Sequence, residues 1–278
     1  MKYKMICIDM DGTLLDKNKK ISEESKVAIK TVYKMGVEVV VATGRIYNNA
    51  AYYSHLLGVE SPVIAANGAI VREKHTNKVI YESSISTEEC VKLVEMLYKM
   101  KVFFHFYTAD TIYCSNRLIE IVTNLYMTKQ VGYDNLKIKY NIIKNIENWK
   151  KLFSENNGKI TKCIAFSINP KKMLILKRKL REFDGITYYG AGKRSVEINS
   201  EGVSKGNATR VLANYYGIER EEVVCIGDNE NDVSMIEYAG LGVAMGNAIP
   251  EVKKVANYIT DTNERNGVAK AIKKIFNV

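Results

Sequence analysis

The sequence predicts an α/β fold built on a parallel sheet, with a separate α+β segment inserted into it. Three observations carry that expectation. At both ends of the 278-residue chain, short apolar and β-branched runs alternate with amphipathic stretches of helix length. Between them the rhythm changes to strands and helices in mixed order. The charge changes as well: residues 84–193 hold 19 Lys and Arg against 10 Asp and Glu, while the rest of the chain holds 22 against 21. The formal charge of +10 therefore belongs almost wholly to the middle segment.

Taken in order, Tyr3–Asp9 is a short apolar run with a charge at its end, as expected of a first strand. Ser22–Met35 has helical spacing at Val27, Ile29, Val32 and Tyr33, with Gly36 placed as its stop. Val37–Ala42 is nearly all β-branched, with Glu38 near its start as the one polar residue, which suits a strand buried on both faces. After Thr43-Gly44-Arg45 a helix runs to Leu57, with Gly58 behind it, and Val63–Ala66 is the next strand. Asn67-Gly68, flanked by Ile70-Val71 and Val79–Tyr81, reads most simply as the type I′ turn of a small hairpin, with contact of Asn67 to a bound ligand as the alternative its place near the strand ends leaves open.

The middle segment predicts strands at Val102–Tyr107, Ile112–Cys114, Cys163–Ile168 and Ile186–Tyr189, and helices at Thr87–Met100, Leu118–Met127 and Lys172–Phe183. The first rhythm then returns. Lys205–Tyr216 is helical and stopped by Gly217, Val223–Ile226 is a strand, Val233–Tyr238 a helix, Leu241–Ala244 a strand, and Asn266–Phe276 a closing helix. The expected organisation is a Rossmann-like core of residues 1–83 and 194–278 with an α+β domain of residues 84–193 inserted in it.

Composition excludes several classes. With 46% apolar residues the chain can bury a real core, so it is neither disordered nor fibrous. No apolar run approaches the roughly 20 residues of a spanning helix, and Met5–Ile8 is too short for a secretory signal. The five cysteines are scattered without a Cys-x-x-Cys pair, which argues against a disulfide framework or a zinc site and fits a reducing cytoplasm. Cys7 and Cys225 fall inside expected core strands and read as apolar filler. His55, His75 and His105 lack metal-ligand spacing, and His105 lies in a strand where packing is its expected role.

The chemistry concentrates at the ends of the strands. Asp9-Met10-Asp11-Gly12-Thr13 leaves the first strand into the crevice where open α/β sheets bind ligands, with two carboxylates at i and i+2. Strand 37–42 ends in Thr43-Gly44, a helix begins at Ser204-Lys205-Gly206, and strand 223–226 runs into Gly227-Asp228-Asn229-Glu230-Asn231-Asp232. All four lie just beyond a strand or at a helix start, where phosphate and metal groups are commonly held. Lys205 alone would read as a surface lysine, but its Ser-Lys-Gly context at a helix start says otherwise. Arg45 reads equally as a solvated helix residue or a substrate contact.

In this order the four motifs resemble those of the haloacid dehalogenase-like superfamily, and more closely the Cof-like phosphatases, whose α+β cap lies between the second and third motifs. The resemblance extends to the Ala66-Asn67-Gly68-Ala69 turn and to Asn266-Gly267-Val268-Ala269 before the last helix. It implies that Asp9 attacks phosphorus to form an aspartyl-phosphate, while Asp11 donates a proton to the leaving group and then acts as base toward water. It implies Mg²⁺ held by the Asp9 carboxylate, the Asp11 carbonyl and Asp228. The Thr43 hydroxyl, the Met10 and Gly44 amides and the Asn231 side chain would hold the phosphoryl oxygens, and Lys205 would offset charge on the nucleophile. Asp232 would hold metal-bound water or orient Lys205.

The implied activity is an Mg²⁺-dependent phosphatase of small phosphorylated metabolites, cytoplasmic and monomeric or weakly self-associating, with the cap selecting the substrate. A phosphomutase uses similar motifs and stays open as an alternative. A non-catalytic protein gripping nucleic acid through the basic segment is disfavoured, because no nucleic-acid motif accompanies the lysines. The middle segment's charge reads either as a lure for phosphate esters or as a solvated surface.

Overall fold

The computed structural model describes residues 2–131, 138–190 and 192–278. Along the chain the first elements are β1 (Met5–Ile8), α1 (Glu23–Lys34), β2 (Glu38–Ala42), α2 (Tyr47–Leu56), β3 (Val63–Ala65), β4 (Ile70–Arg72) and β5 (Val79–Glu82). The middle holds α3 (Thr87–Met100), β6 (Phe103–Tyr107), β7 (Thr111–Cys114), α4 (Arg117–Val131), β8 (Lys139–Ile142), α5 (Ile146–Glu155), β9 (Lys162–Phe166), α6 (Pro170–Arg181), β10 (Ile186–Gly190) and β11 (Ser195–Ser200). The last part holds α7 (Lys205–Tyr215), β12 (Val223–Gly227), α8 (Val233–Tyr238), β13 (Leu241–Ala244), α9 (Pro250–Val255), β14 (Tyr258–Ile259) and α10 (Gly267–Phe276).

The chain divides into two units, Met1–Tyr81 with Ser204–Val278, and Glu82–Val203. The first is built on an eight-stranded sheet in the order β14-β13-β12-β1-β2-β3-β4-β5. From β14 to β3 the strands run parallel, and β4 turns back antiparallel to β3. All four residues of β1 are buried, which explains the apolar run with no alternation: a strand covered on both faces has no solvent side to mark. The central β1 lies between β2 and β12, with Cys7 opposite both Val40 and Cys225. The strand order therefore switches direction beside β1, and the loops after β1, β2 and β12 emerge from adjacent strand ends.

The second unit has a six-stranded sheet, β10-β11-β9-β6-β7-β8, antiparallel except where β7 meets β8. Alternation within β6 sends Phe104 and Phe106 into an aromatic core, where their rings lie 5.4 Å and 5.3 Å from Trp149. His105 points to the other face and is buried, its Nε2 2.8 Å from the Tyr107 hydroxyl. Five cysteines are free and buried. Among the described residues no helix is long and apolar enough to cross a membrane.

Two expectations need correction here. The inserted segment does not end at residue 193: β11 pairs with both β10 and β9, and leaving it in the first unit would strip the antiparallel ladder from both neighbours. The strand expected to run to Ala66 stops at Ala65, because Ala66 adopts a left-handed φ of 50°.

Candidate active site

Asp9 follows β1 and is only 5% exposed, its amide donating to the Ile226 carbonyl at 3.0 Å. The chain then folds back on itself, with Leu14 and Leu15 amides donating to the Asp9 and Met10 carbonyls at 3.2 and 2.9 Å. The Met10 amide donates to no acceptor among the described residues. Gly12 permits this turn for two reasons: its φ is +88°, and a β-carbon there would lie 2.4 Å from Asp228 Oδ2. Asp228 is thus packed directly on the β1 loop, where its Oδ1 accepts from the Thr13 hydroxyl at 2.7 Å.

Lys205 opens α7, whose first turn is capped by the Ser204 side chain accepting from the Asn207 amide. Its side chain is wholly buried, with Nζ 2.5 Å from Asp9 Oδ1 and 2.6 Å from Asp232 Oδ1. The other Asp232 oxygen accepts from the Asp228 and Asn229 amides, both at 2.9 Å. Asp232 therefore uses one oxygen to shape the loop after β12 and the other to hold the ammonium. Asp232 thus touches Lys205 directly, and its carboxylate also stands in the group of three that could face a metal.

Carboxylate oxygens of Asp9, Asp228 and Asp232 lie within 4.8 Å of one another. One ammonium faces three carboxylates, and the imbalance is visible in their acidity. Burial, with the Asp232 charge behind it, pushes Asp9 well above the usual carboxylate range against the pull of Lys205. Burial and Asp232 likewise raise Asp228 to about 6. Burial pulls Lys205 downward, but the charges of Asp232 and Asp9 outweigh it and hold the ammonium protonated. A buried, oxygen-only donor set with excess negative charge fits a hard divalent cation such as Mg²⁺.

The Asp11 side chain is not part of that cluster. Arg45 Nε and Nη2 grip its two oxygens at 2.6 Å each, and Lys19 Nζ lies 2.6 Å from Oδ1. Burial alone would raise its pKa, but Arg45 and Lys19 prevail and bring it to about 2. Arg45 is itself fixed, with Nη1 2.9 Å from Asn49 Oδ1 and its guanidinium 5.0 Å from the Tyr53 ring. Thr43 is buried, and its hydroxyl oxygen accepts from the Arg45 amide at 3.2 Å. Asn231 Nδ2 donates to Asn67 Oδ1 at 2.9 Å.

Asp9, Asp228, Asp232 and Lys205 are thus brought into direct contact or close array, with Met10 beside Asp9 and Thr43-Gly44 on the neighbouring strand end. Thr13 and Arg45 were not among the expected site residues. Thr13 sits in the same short motif as the two aspartates, so its signal was position alone; Arg45 needed the fold, because its partner Asp11 lies 34 residues away.

The family model described as haloacid dehalogenase-like hydrolase matches residues 6–272. YxeH of Bacillus subtilis is 37% identical over 98% of each chain. The 5-amino-6-(5-phospho-D-ribitylamino)uracil phosphatase YwtE of the same organism is 31% identical, again over 98% of each. A solved haloacid dehalogenase-like hydrolase from B. subtilis superposes with a TM-score of 0.84 at 28% identity, covering 97% of this chain and 99% of its own.

Proposed function

The chain belongs to the haloacid dehalogenase-like hydrolase family and is a phosphatase, and we propose that it hydrolyses small phosphate monoesters in two displacements through a phosphorylated Asp9. The observation that carries this reading is the buried Lys205 ammonium held between Asp9 and Asp232, with Asp228 alongside. It sets a carboxylate oxygen in a fixed place next to positive charge, as attack on an anionic phosphate requires.

In the first displacement an Asp9 oxygen bonds to phosphorus as the bond to the leaving oxygen breaks, and that oxygen takes a proton from Asp11. In the second, water attacks phosphorus, its proton passes to Asp11 and the Asp9–phosphorus bond breaks. The Met10 and Gly44 amides, the Thr43 hydroxyl and Asn231 hold the phosphoryl oxygens, and Lys205 offsets the charge that builds on them. Paired with Arg45 and Lys19, Asp11 is ionised and has no proton to give, so it serves as the acid only after leaving those partners and taking a proton from solvent. Asp9, Asp228 and the Asp11 carbonyl would hold Mg²⁺, which when bound neutralises the repulsion between nucleophile and phosphate.

The substrate class is small phosphorylated metabolites. YwtE is named for a ribityl phosphate, which places sugar and polyol phosphates first among those to try. The second unit would supply the contacts that choose among them, its excess of basic side chains suiting an anionic ester. The test is a phosphate-release screen over sugar, polyol, nucleotide and cofactor phosphates, with Asp9→Asn as blank. Release that needs Mg²⁺, stops with EDTA and vanishes in Asp9→Asn is expected; equal release by Asp9→Asn would refute the role of Asp9.

A further inference from the structure

We propose that Asn67 is a positioning residue that aims the Asn231 amide at a phosphoryl oxygen, and that its turn locks three phosphate-facing segments together. The proposal rests on the reading of Asn231 as phosphate-binding. Asn67 has φ 62° and ψ 22° and Gly68 has φ 99°, and the Ala69 amide donates to the Ala66 carbonyl at 3.2 Å, so the turn is the type I′ form that an Asn-Gly pair favours. An ordinary turn of this kind lies at the surface with its Asn in water. Here Asn67 is 0% exposed and Ala66 only 3%.

Between them the residues of the turn meet three parts of the candidate site. The Ala66 and Asn67 amides donate to the carbonyls of Arg45 and Thr43 at 2.9 and 3.0 Å. Gly68 lies so close to the start of α7 that a β-carbon on it would stand 2.2 Å from the Ser204 carbonyl oxygen. The Asn67 side chain takes the third, accepting from Asn231 at 2.9 Å. Ala66 itself holds a left-handed φ of 50°, a conformation costing a β-carbon residue roughly 1–2 kcal/mol. Strain kept at a buried turn that touches three phosphate-facing segments points to function rather than to chain reversal alone.

The amide chemistry gives the pairing its effect. An NH₂ group has two hydrogens in one plane, so committing one fixes the direction of the other. Asn231 makes no other side-chain hydrogen bond among the described residues. With Asn67 accepting one hydrogen, the second is set for an acceptor outside the protein.

Asn67→Gly separates this role from the turn, because glycine takes φ 62° without strain and removes only the side chain. The experiment compares wild type, Asn67→Gly, Asn231→Ala and the double variant by KM and kcat for p-nitrophenyl phosphate, the inhibition constant of inorganic phosphate, and the thermal midpoint. Asn67→Gly is expected to raise KM and the phosphate inhibition constant roughly tenfold, the loss of one oriented hydrogen bond to a charged group. In the Asn231→Ala background the same change should add less than about twofold. An unchanged inhibition constant in Asn67→Gly, or an equal effect in both backgrounds, overturns the inference while leaving Asn231 in place. An unchanged constant in Asn231→Ala overturns the role of Asn231 itself, and with it the proposal for Asn67.

Discussion

Replacing Lys205 by Met tests how the charge cluster is held together. The ammonium lies 2.5 and 2.6 Å from two buried carboxylates. At an effective dielectric of about 20, each contact is worth on the order of 6 kcal/mol of gross attraction. Much of this is returned on substitution, since no ammonium need be desolvated and Asp9 can take up a proton. The net cost of stripping one partner from a buried pair is about 3–5 kcal/mol. The stability loss should therefore fall in that range by urea unfolding, and protonated Asp9 should be inert as a nucleophile, lowering phosphate release by at least about 10³-fold. Adding Asp232→Asn should restore part of the stability but none of the activity, because it removes a repelling charge without returning the ammonium. A stability loss under about 1 kcal/mol with activity retained would refute the reasoning.

Three other perturbations follow from the same geometry. Gly12→Ala forces a β-carbon into the Asp228 carboxylate and should raise the Mg²⁺ concentration for half-maximal activity by roughly 10–100-fold; an unchanged metal titration would count against Asp228 as a ligand. Asp11→Asn should slow the phosphorylation step by about 10²–10⁴ for alkyl phosphates and much less for p-nitrophenyl phosphate, whose leaving group needs no proton; equal losses in single-turnover kinetics would deny the acid role. Burial, aided by the Lys162 charge, holds the His105 pKa down to about 3, so below its ordinary value the unfolded chain binds the extra proton and stability falls with pH. Between pH 7 and 5 wild type should lose about 2 kcal/mol more than His105→Gln in urea unfolding, and parallel losses would exclude the histidine as the cause.

The core was legible because its strands are buried on both faces and its loops carry charge at strand ends. Val39–Ala42 and Val223–Ile226 have no polar residue to confuse the pattern, and each leads straight into a motif. The second unit was harder for local reasons. β8 is a half-exposed run, Lys-Tyr-Asn-Ile, whose alternation is too weak to read. β14 spans only Tyr258–Ile259 and owes its strand form to pairing with β13. α5 and β11 did leave signals: Trp149, Leu152 and Phe153 recur at helical spacing, and Val196 and Ile198 alternate with polar neighbours.

The site divides along the same line. Asp9, Asp228, Asp232 and Lys205 follow from motif position, since strand ends and a capped helix start fix where their side chains go. The Asp11–Arg45 pair and the Asn67–Asn231 bond join segments 34 and 164 residues apart, and nothing local in either partner announces the other. The family resemblance implies a proton-transfer role for Asp11, but nothing in the sequence points to Arg45 as its resting partner.

The central claim is that phosphate passes to Asp9 before water removes it. Mixing enzyme, Mg²⁺ and a good substrate from the release screen, quenching within one turnover and reducing with borohydride should convert an acyl phosphate at position 9 to homoserine, readable by peptide mass spectrometry. The account predicts that conversion at Asp9 in wild type and none in Asp9→Asn. Rapid phosphate release with Asp9 left unmodified at every quench time would mean that water attacks the ester directly, and would contradict it.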